Sequence, residues 1–342
     1  MAKHARRYAA GTALALSALL GACEPSAPAQ GSDFAVLARA AEGYASAKPG
    51  KTLEFPRDHG AHPDYRIEWW YLTANLEDRD GRQYGAQWTL FRTATKPPGE
   101  TPPDNPWGDG QVYMAHFALT WPDGHGAWQR YARGGDHRGL ARAGVNAMPF
   151  AAWLDDWRLA STGAGWLPLT VHARQDDFSL ELDLDSRLGP VLQGDRGFSQ
   201  KHPAGGGSWY YSQPFLAANG VLTLNGKPVT VQGQAWLDRE WSSQFLQADQ
   251  AGWDWFALHL DSGEKLMLFR LRGKANAREG AFRHGVLISP RGETKTLDAD
   301  GIRFEVIEES RVADRNLPLH WRITLPSIQR AFEVSALRPD QW

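Results

Sequence analysis

Four short blocks of the chain concentrate aromatic and ionisable side chains: residues 62–71, 209–213, 236–244 and 252–256. The third, Trp236-Leu-Asp-Arg-Glu-Trp-Ser-Ser-Gln244, points most directly to chemistry. If it is a strand, its period of two puts Trp236, Asp238 and Glu240 on one face and Leu237, Arg239 and Trp241 on the other. A carboxyl held between indoles is shielded from water, which disfavours its charged form and keeps a proton on it near neutral pH. Such a group can act as a general acid, and nearby aromatic faces stabilise a carbocation formed by its proton. On this reading Asp238 protonates an alkene and Glu240 or Asp254 activates water. Trp236, Trp253 and Trp255 line the cavity, with Glu68, Trp69, Trp70, Tyr71, Tyr210 and Tyr211 completing the wall. A purely structural reading uses the same residues: Asp238 or Asp254 pairs with Arg239 or Arg66, and the tryptophans fill barrel interiors.

Other chemistries find no motif. Gly205-Gly-Gly-Ser-Trp209 lacks the spacing and the second glycine of a nucleophile elbow. There is no His-Glu-x-x-His helix, and Gly205–Gly207 lacks the lysine and helix of a phosphate loop. His59 and His62, in a loop beside Pro63, are expected to be exposed or hydrogen-bonded rather than metal ligands. The formal net charge is −2 with no basic stripe, which argues against a nucleic-acid partner. The expectation is therefore an apolar small-molecule ligand, with no metal and no cofactor. Sixteen tryptophans in 342 residues fit an aromatic core or an aromatic-lined pocket.

The elements that must position these blocks are strands. After Pro49-Gly50, alternating apolar runs are separated by Asp80-Gly81, Asp123-Gly124, Asn225-Gly226 and Ser262-Gly263. Residues 222–231 read as a hairpin with an Asn-Gly turn. Two helices are expected, both short: one capped by Asp33 and running through Ala47, the other over Phe150–Leu159. Two hairpins resemble each other. One runs from Glu68-Trp-Trp-Tyr71 to Phe91-Arg92, the other from Trp253-Asp-Trp-Phe256 to Phe269-Arg270. They suggest two related β-domains, 50–232 and 233–342, joined near 226–233.

The N-terminus reads as an export signal. Lys3, Arg6 and Arg7 precede an apolar stretch from Ala9 to Ala22 that is too short to span a bilayer as a helix. It ends in Leu20-Gly21-Ala22-Cys23, which resembles the bacterial lipoprotein box. Cys23 is the sole cysteine, so no intrachain disulfide can form. The expectation is a signal over 1–22, a lipidated Cys23, and a tether with a short helix over 23–49. Ordinary cleavage after Ala27-Pro28-Ala29 is the alternative. Glu24 after the cysteine favours the periplasmic face of the outer membrane over the inner.

The four aromatic blocks, as stretches 62–76, 208–214, 236–244 and 252–270, resemble the AttH/CrtC-type family, often labelled predicted secreted hydrolases or lipocalin-like proteins. The resemblance implies an all-β fold of two tandem lipocalin-like barrels. It implies a relation to carotenoid hydratases, which add water to an isolated C=C without a redox cofactor. Where the hydratase branch has a histidine before the matching aspartate, this chain has Leu237, so it resembles the exported branch more closely. That branch suggests a carrier as the alternative function: a lipid-binding lipoprotein beside an ABC-transporter permease. Relatives continue past the point matching Arg338–Trp342, which implies a second barrel open on one edge.

Overall fold

The structure is a computed structural model that describes residues 42–100, 109–135, 142–244, 246–274, 281–312, 315–339 and 341. The signal segment, Cys23 and most of the expected N-terminal helix lie outside the described residues. Its last residues, Glu42 to Ala47, form a turn and irregular chain, with Gly43 at a φ of 79°. The described residues contain no α-helix.

The first sheet begins with β1 (Ile67–Glu77), β2 (Gln83–Ala94), β3 (Gln111–Trp121) and β4 (Gly124–Arg133). It continues with β5 (Ala143–Ala147), β6 (Phe150–Leu154), β7 (Trp157–Ser161), β8 (Leu169–Gln175) and β9 (Phe178–Asp185). Two short strands, β10 (Val191–Leu192) and β11 (Phe198–Gln200), precede the long pair β12 (Gly207–Leu224) and β13 (Lys227–Ser242). The strand order is β4-β3-β2-β1-β13-β12-β9-β8-β7-β6-β5, with β10 and β11 added along β12. This sheet curls into a nearly closed barrel around one apolar core that includes Trp70, Trp88, Phe117, Trp157 and Leu237.

Residues 150–159, expected to be helical, form the β6–β7 hairpin instead. Phe150, Ala152 and Leu154 alternate into the barrel core, and Asp155 turns the chain at a φ of 53°. The period of two outweighs the weak helical spacing. The four turn dipeptides all fall at the turns of strands paired as hairpins, Gly124 as the first residue of its strand. At Asn225-Gly226 both residues have positive φ, 51° and 75°, as a primed hairpin turn requires.

The remaining strands build two smaller sheets. β14 (Gln250–His259), β15 (Lys265–Gly273), β16 (Phe282–Ile288) and β17 (Thr294–Thr296) form one; β18 (Arg303–Val312), β19 (Arg315–Leu325) and β20 (Arg330–Ser335) form the other. β15 explains how they stack. Met267, Phe269 and Leu271 pack with Trp236 and Tyr210 of the first sheet, whereas Leu266 and Leu268 pack with Ile323 and Leu325 of the last. A strand covered on both faces reads as a continuous apolar run, and Lys265-Leu-Met-Leu-Phe269 is nearly that. The join expected near 226–233 falls inside the β12–β13 hairpin. Lys227–Ser242 pairs with β1 and β12, so the change of sheet comes after Ser242.

Candidate active site

Along β13 the side chains alternate between the inside of the barrel and its outer face. Leu237 belongs to the barrel core, so Trp236, Asp238 and Glu240 point outwards, towards the β14–β15 hairpin. Residues directly opposite across strands share a face. Asp238 lies opposite Tyr71 on β1 and Ser212 on β12, and Glu240 lies opposite Trp69 and Tyr210.

Three donors converge on one oxygen of Asp238. The Ser212 hydroxyl donates to Oδ1 at 2.5 Å, Trp236 Nε1 at 2.8 Å and the Tyr210 hydroxyl at 2.9 Å. Among the described residues none donates to Oδ2. The residue is only 4% exposed. Burial pushes the carboxyl up to about 7 from its ordinary 3.8; the three donors pull the other way, and the charge of Glu240 adds to the rise. Loss of hydration thus outweighs three hydrogen bonds. The result is an acid whose acceptor oxygen is fixed and whose second oxygen is left to carry the proton. Tyr71 and Tyr210 stay neutral phenols, because burial and the nearby Asp238 raise both, Tyr71 to about 12.

The opposite wall comes from β14. Trp255 Nε1 donates to the Tyr210 hydroxyl at 3.3 Å, and its ring meets Tyr71 edge-on with centroids 6.0 Å apart. Trp253 and Trp69 both pack against Ile67. Because β14 is the edge strand of its sheet, every residue from Gly252 to His259 is half-buried, unlike those of β15. Glu240 accepts from the Ser208 hydroxyl and pairs with Lys201 Nζ at 2.8 Å. Lys201 and the Gln193 amide, which donates to Ser212 Oγ at 2.9 Å, carry no signal in the sequence, since both lie in irregular chain outside the aromatic blocks. Ser212 was findable, because the period of two in Trp209–Gln213 puts it beside Tyr210.

Three residues expected to line the same cavity face the other way. Glu68, Trp70 and Tyr211 are on the inner side of the sheet, in register with Trp241 and Arg239 rather than with the outward side chains. Glu68 is completely buried between Arg92 and Arg239, whose guanidiniums hold its carboxyl well below the usual range despite burial. His62 lies 3.1 Å from Glu68 and stacks on Trp241 at 3.9 Å, and the Arg239 guanidinium lies 3.8 Å from the centre of the Trp70 ring. Arg239 Nη2 also donates to the Gly60 carbonyl at 2.5 Å, and Arg92 Nη2 to the carbonyls of His62 and Tyr65 at 2.8 and 2.7 Å. The Tyr211 hydroxyl contacts His59 Nδ1 at 2.7 Å. This cluster clamps the segment before β1 onto the barrel.

Asp254 also leaves the site. It sits on the face of β14 turned towards the last sheet and pairs with Arg270 Nε at 2.6 Å and with Arg272. The two look-alike hairpins explain why. Glu68 is in register with Arg92 and Asp254 with Arg270, while Trp69 faces Phe91 and Trp255 faces Phe269. Asp254 is thus the counterpart of Glu68, a structural ion pair. Of the expected residues, the structure brings together Asp238, Glu240, Trp69, Tyr71, Tyr210, Trp236, Trp253 and Trp255.

An all-β barrel of lipocalin-like type, with a buried acid on its outer face, is the class of protein that fold and site define. The chain belongs to the AttH-like family, whose model matches residues 46–342. It is similar to the crystal structure of an AttH from Nitrosomonas europaea, with 37% identity, coverage of 82% of this chain and 84% of that one, and a TM-score of 0.70. It shares its fold with kievitone hydratase from Nectria haematococca, at 17% identity, 87% and 86% coverage, and a TM-score of 0.58. No curated protein sequence matches it.

Proposed function

We propose that the protein is a cofactor-free lyase of hydratase type acting on an apolar alkene, with Asp238 as its general acid. The observation that carries this reading is the Asp238 carboxyl itself: buried, held at about 7, with three donors on Oδ1 and none on Oδ2 among the described residues. The proton passes from Asp238 to one alkene carbon, whose π pair forms the new C–H bond. The other carbon becomes cationic beside the Trp236 and Trp255 rings, which stabilise it. A water oxygen then forms the C–O bond, and its surplus proton returns to the Asp238 carboxylate. One water is added, and the acid is restored.

Glu240, paired with Lys201, adds to the rise that burial imposes on Asp238 rather than serving as a second base. Lipidation at Cys23 would hold the site at the periplasmic surface of the outer membrane, where apolar substrates partition, and an ABC-type exporter is a fitting partner there.

The test incubates the full-length protein in detergent with acyclic isoprenoids and an envelope lipid extract, followed by mass analysis of bound and free molecules. A product heavier by one water, reduced at least about a hundredfold in Asp238→Asn, is the expected result. A lipid bound unchanged by both proteins would replace this reading with that of a carrier.

A further inference from the structure

The outward row on β13 extends beyond Trp236 to Gln234, where a buried cation has no carboxylate partner among the described residues. Lys265 on β15 is only 3% exposed, and its Nζ donates to Gln234 Oε1 at 2.5 Å. Among the described residues no carboxylate lies within ion-pairing distance of it. Other buried charges are matched: Glu68 with Arg92 and Arg239, Glu240 with Lys201, and Asp58 with Arg57. Its ammonium also lies 5.3 Å from the centre of the Phe215 ring, but a buried cation without a countercharge is costly, and buried charges are as a rule paired. Lys265 is in register with His259 across the β14–β15 hairpin, so both point to the same side, towards the first sheet. The His259 ring lies edge-on to Trp236 at 5.8 Å, and its buried Nδ1 has no hydrogen-bond partner. A cation without a countercharge and an unpartnered imidazole nitrogen therefore lie on the same side as the outward row that ends in Asp238.

Burial falls off along this row. Asp238 and Trp236 are buried, whereas Gln234 is exposed, so Lys265 and His259 lie towards the solvent end of the row and Asp238 towards its buried end. Gln234 and Asp238 are four residues apart on one strand, about 13 Å. An amphiphile lying along this row would keep its polar end at the solvent end. Resting on the reading of Asp238 as an acid, we infer that the ligand is a long unsaturated chain ending in a carboxylate. The carboxylate docks on Lys265 Nζ and His259 Nδ1, and the mid-chain double bond reaches Asp238.

The test measures binding of oleic acid and of oleyl alcohol to the full-length protein, through quenching of tryptophan fluorescence, in wild type, Lys265→Met and Lys265→Arg. Wild type should prefer the acid by roughly ten- to a hundredfold, the worth of a charge-assisted contact. Lys265→Met should abolish that preference while leaving the alcohol's affinity unchanged, and Lys265→Arg should keep most of it. The melting temperature of unliganded Lys265→Met should equal or exceed that of wild type, because an unmatched charge is replaced by an apolar side chain of similar length. A preference for the acid that survives in Lys265→Met overturns the inference, as does a large drop in melting temperature, which would make Lys265 structural. Equal binding of acid and alcohol by wild type overturns it too, but leaves the Asp238 reading standing. Binding of neither also overturns it, and leaves the Asp238 reading to the isoprenoid and lipid-extract experiment.

Discussion

Glu68 on β1 and Asp238 on β13 stand on hydrogen-bonded neighbours of one sheet, and both are shut away from water. Their protonation runs in opposite directions. On the inner face, Arg92 and Arg239 supply two full charges, which overcome the desolvation of Glu68 and keep it ionised. On the outer face, Asp238 receives three hydrogen bonds from uncharged donors, which desolvation outweighs. Burial is common to the two, so it does not mark a working acid. What marks it is burial without a countercharge. Asp254 supports the same rule from the second hairpin, since two arginines make it structural although tryptophans flank it in sequence.

The largest effect should come from breaking the matched side. Glu68→Gln leaves Arg92 and Arg239 buried without their carboxylate, and should cost about 3–5 kcal/mol of unfolding free energy in urea titrations. Loss of less than about 1 kcal/mol would mean that the clamp before β1 does not depend on this pair.

The sign of the pH dependence sharpens the contrast. Glu68 titrates lower in the folded state than in the unfolded chain. Its contribution is therefore present above pH 4.5 and lost as pH falls through its depressed folded value. Asp238 is the reverse. Between its ordinary 3.8 and about 7 the folded protein holds a proton that the unfolded chain releases, so stability falls as pH rises across that window. The full difference is on the order of 4 kcal/mol. Asp238→Asn resembles the protonated carboxyl and lacks this titration. Its stability relative to wild type should accordingly rise from pH 4 to 7 and level off above. A flat difference over that range would show Asp238 to be ionised in the fold.

A smaller effect is expected at Asp254. Arg270 and Arg272 are partly exposed, so water screens the pair. Asp254→Asn should cost about 1–2 kcal/mol and leave turnover within roughly twofold of wild type. A loss of turnover matching that of Asp238→Asn would return Asp254 to the chemistry.

How much of this was written in the sequence follows from what each signal depends on. Alternation and turn dipeptides are local, so the strands, the Asn225-Gly226 hairpin and the outward face of Trp236, Asp238 and Glu240 were legible. The alternation in Glu68-Trp-Trp-Tyr71 also separates Glu68 and Trp70 from Trp69 and Tyr71, and grouping all four as one wall overlooked it. Partners brought from distant chain were not legible. Nothing near Asp254 announces that Arg270 lies opposite it until the hairpin register is known. Nothing in the irregular segment holding Lys201 shows that its ammonium reaches Glu240. The Phe150–Leu159 stretch misled because its apolar residues suit both periods, and the left-handed turn at Asp155 decides between them.

The finest test concerns the donors that hold Oδ1. Each stabilises the ionised form of Asp238, so removing one should raise its pKa further and keep it an acid to higher pH. Trp236→Phe removes the 2.8 Å indole donor while retaining an aromatic ring against the β14–β15 hairpin. Turnover that needs a protonated Asp238 should be level below about 7 and decline above it in the wild type. In Trp236→Phe the declining limb should move upward by about one pH unit, the size expected from one lost charge-assisted hydrogen bond partly made up by the remaining two. Trp253→Phe alters an indole that packs on Ile67 and is not among the donors to Asp238, so it should leave the limb in place while weakening ligand binding. If the limb stays put in Trp236→Phe, the titrating group is not Asp238. A limb that moves equally in both variants would reflect a general change in the aromatic wall rather than the loss of one donor.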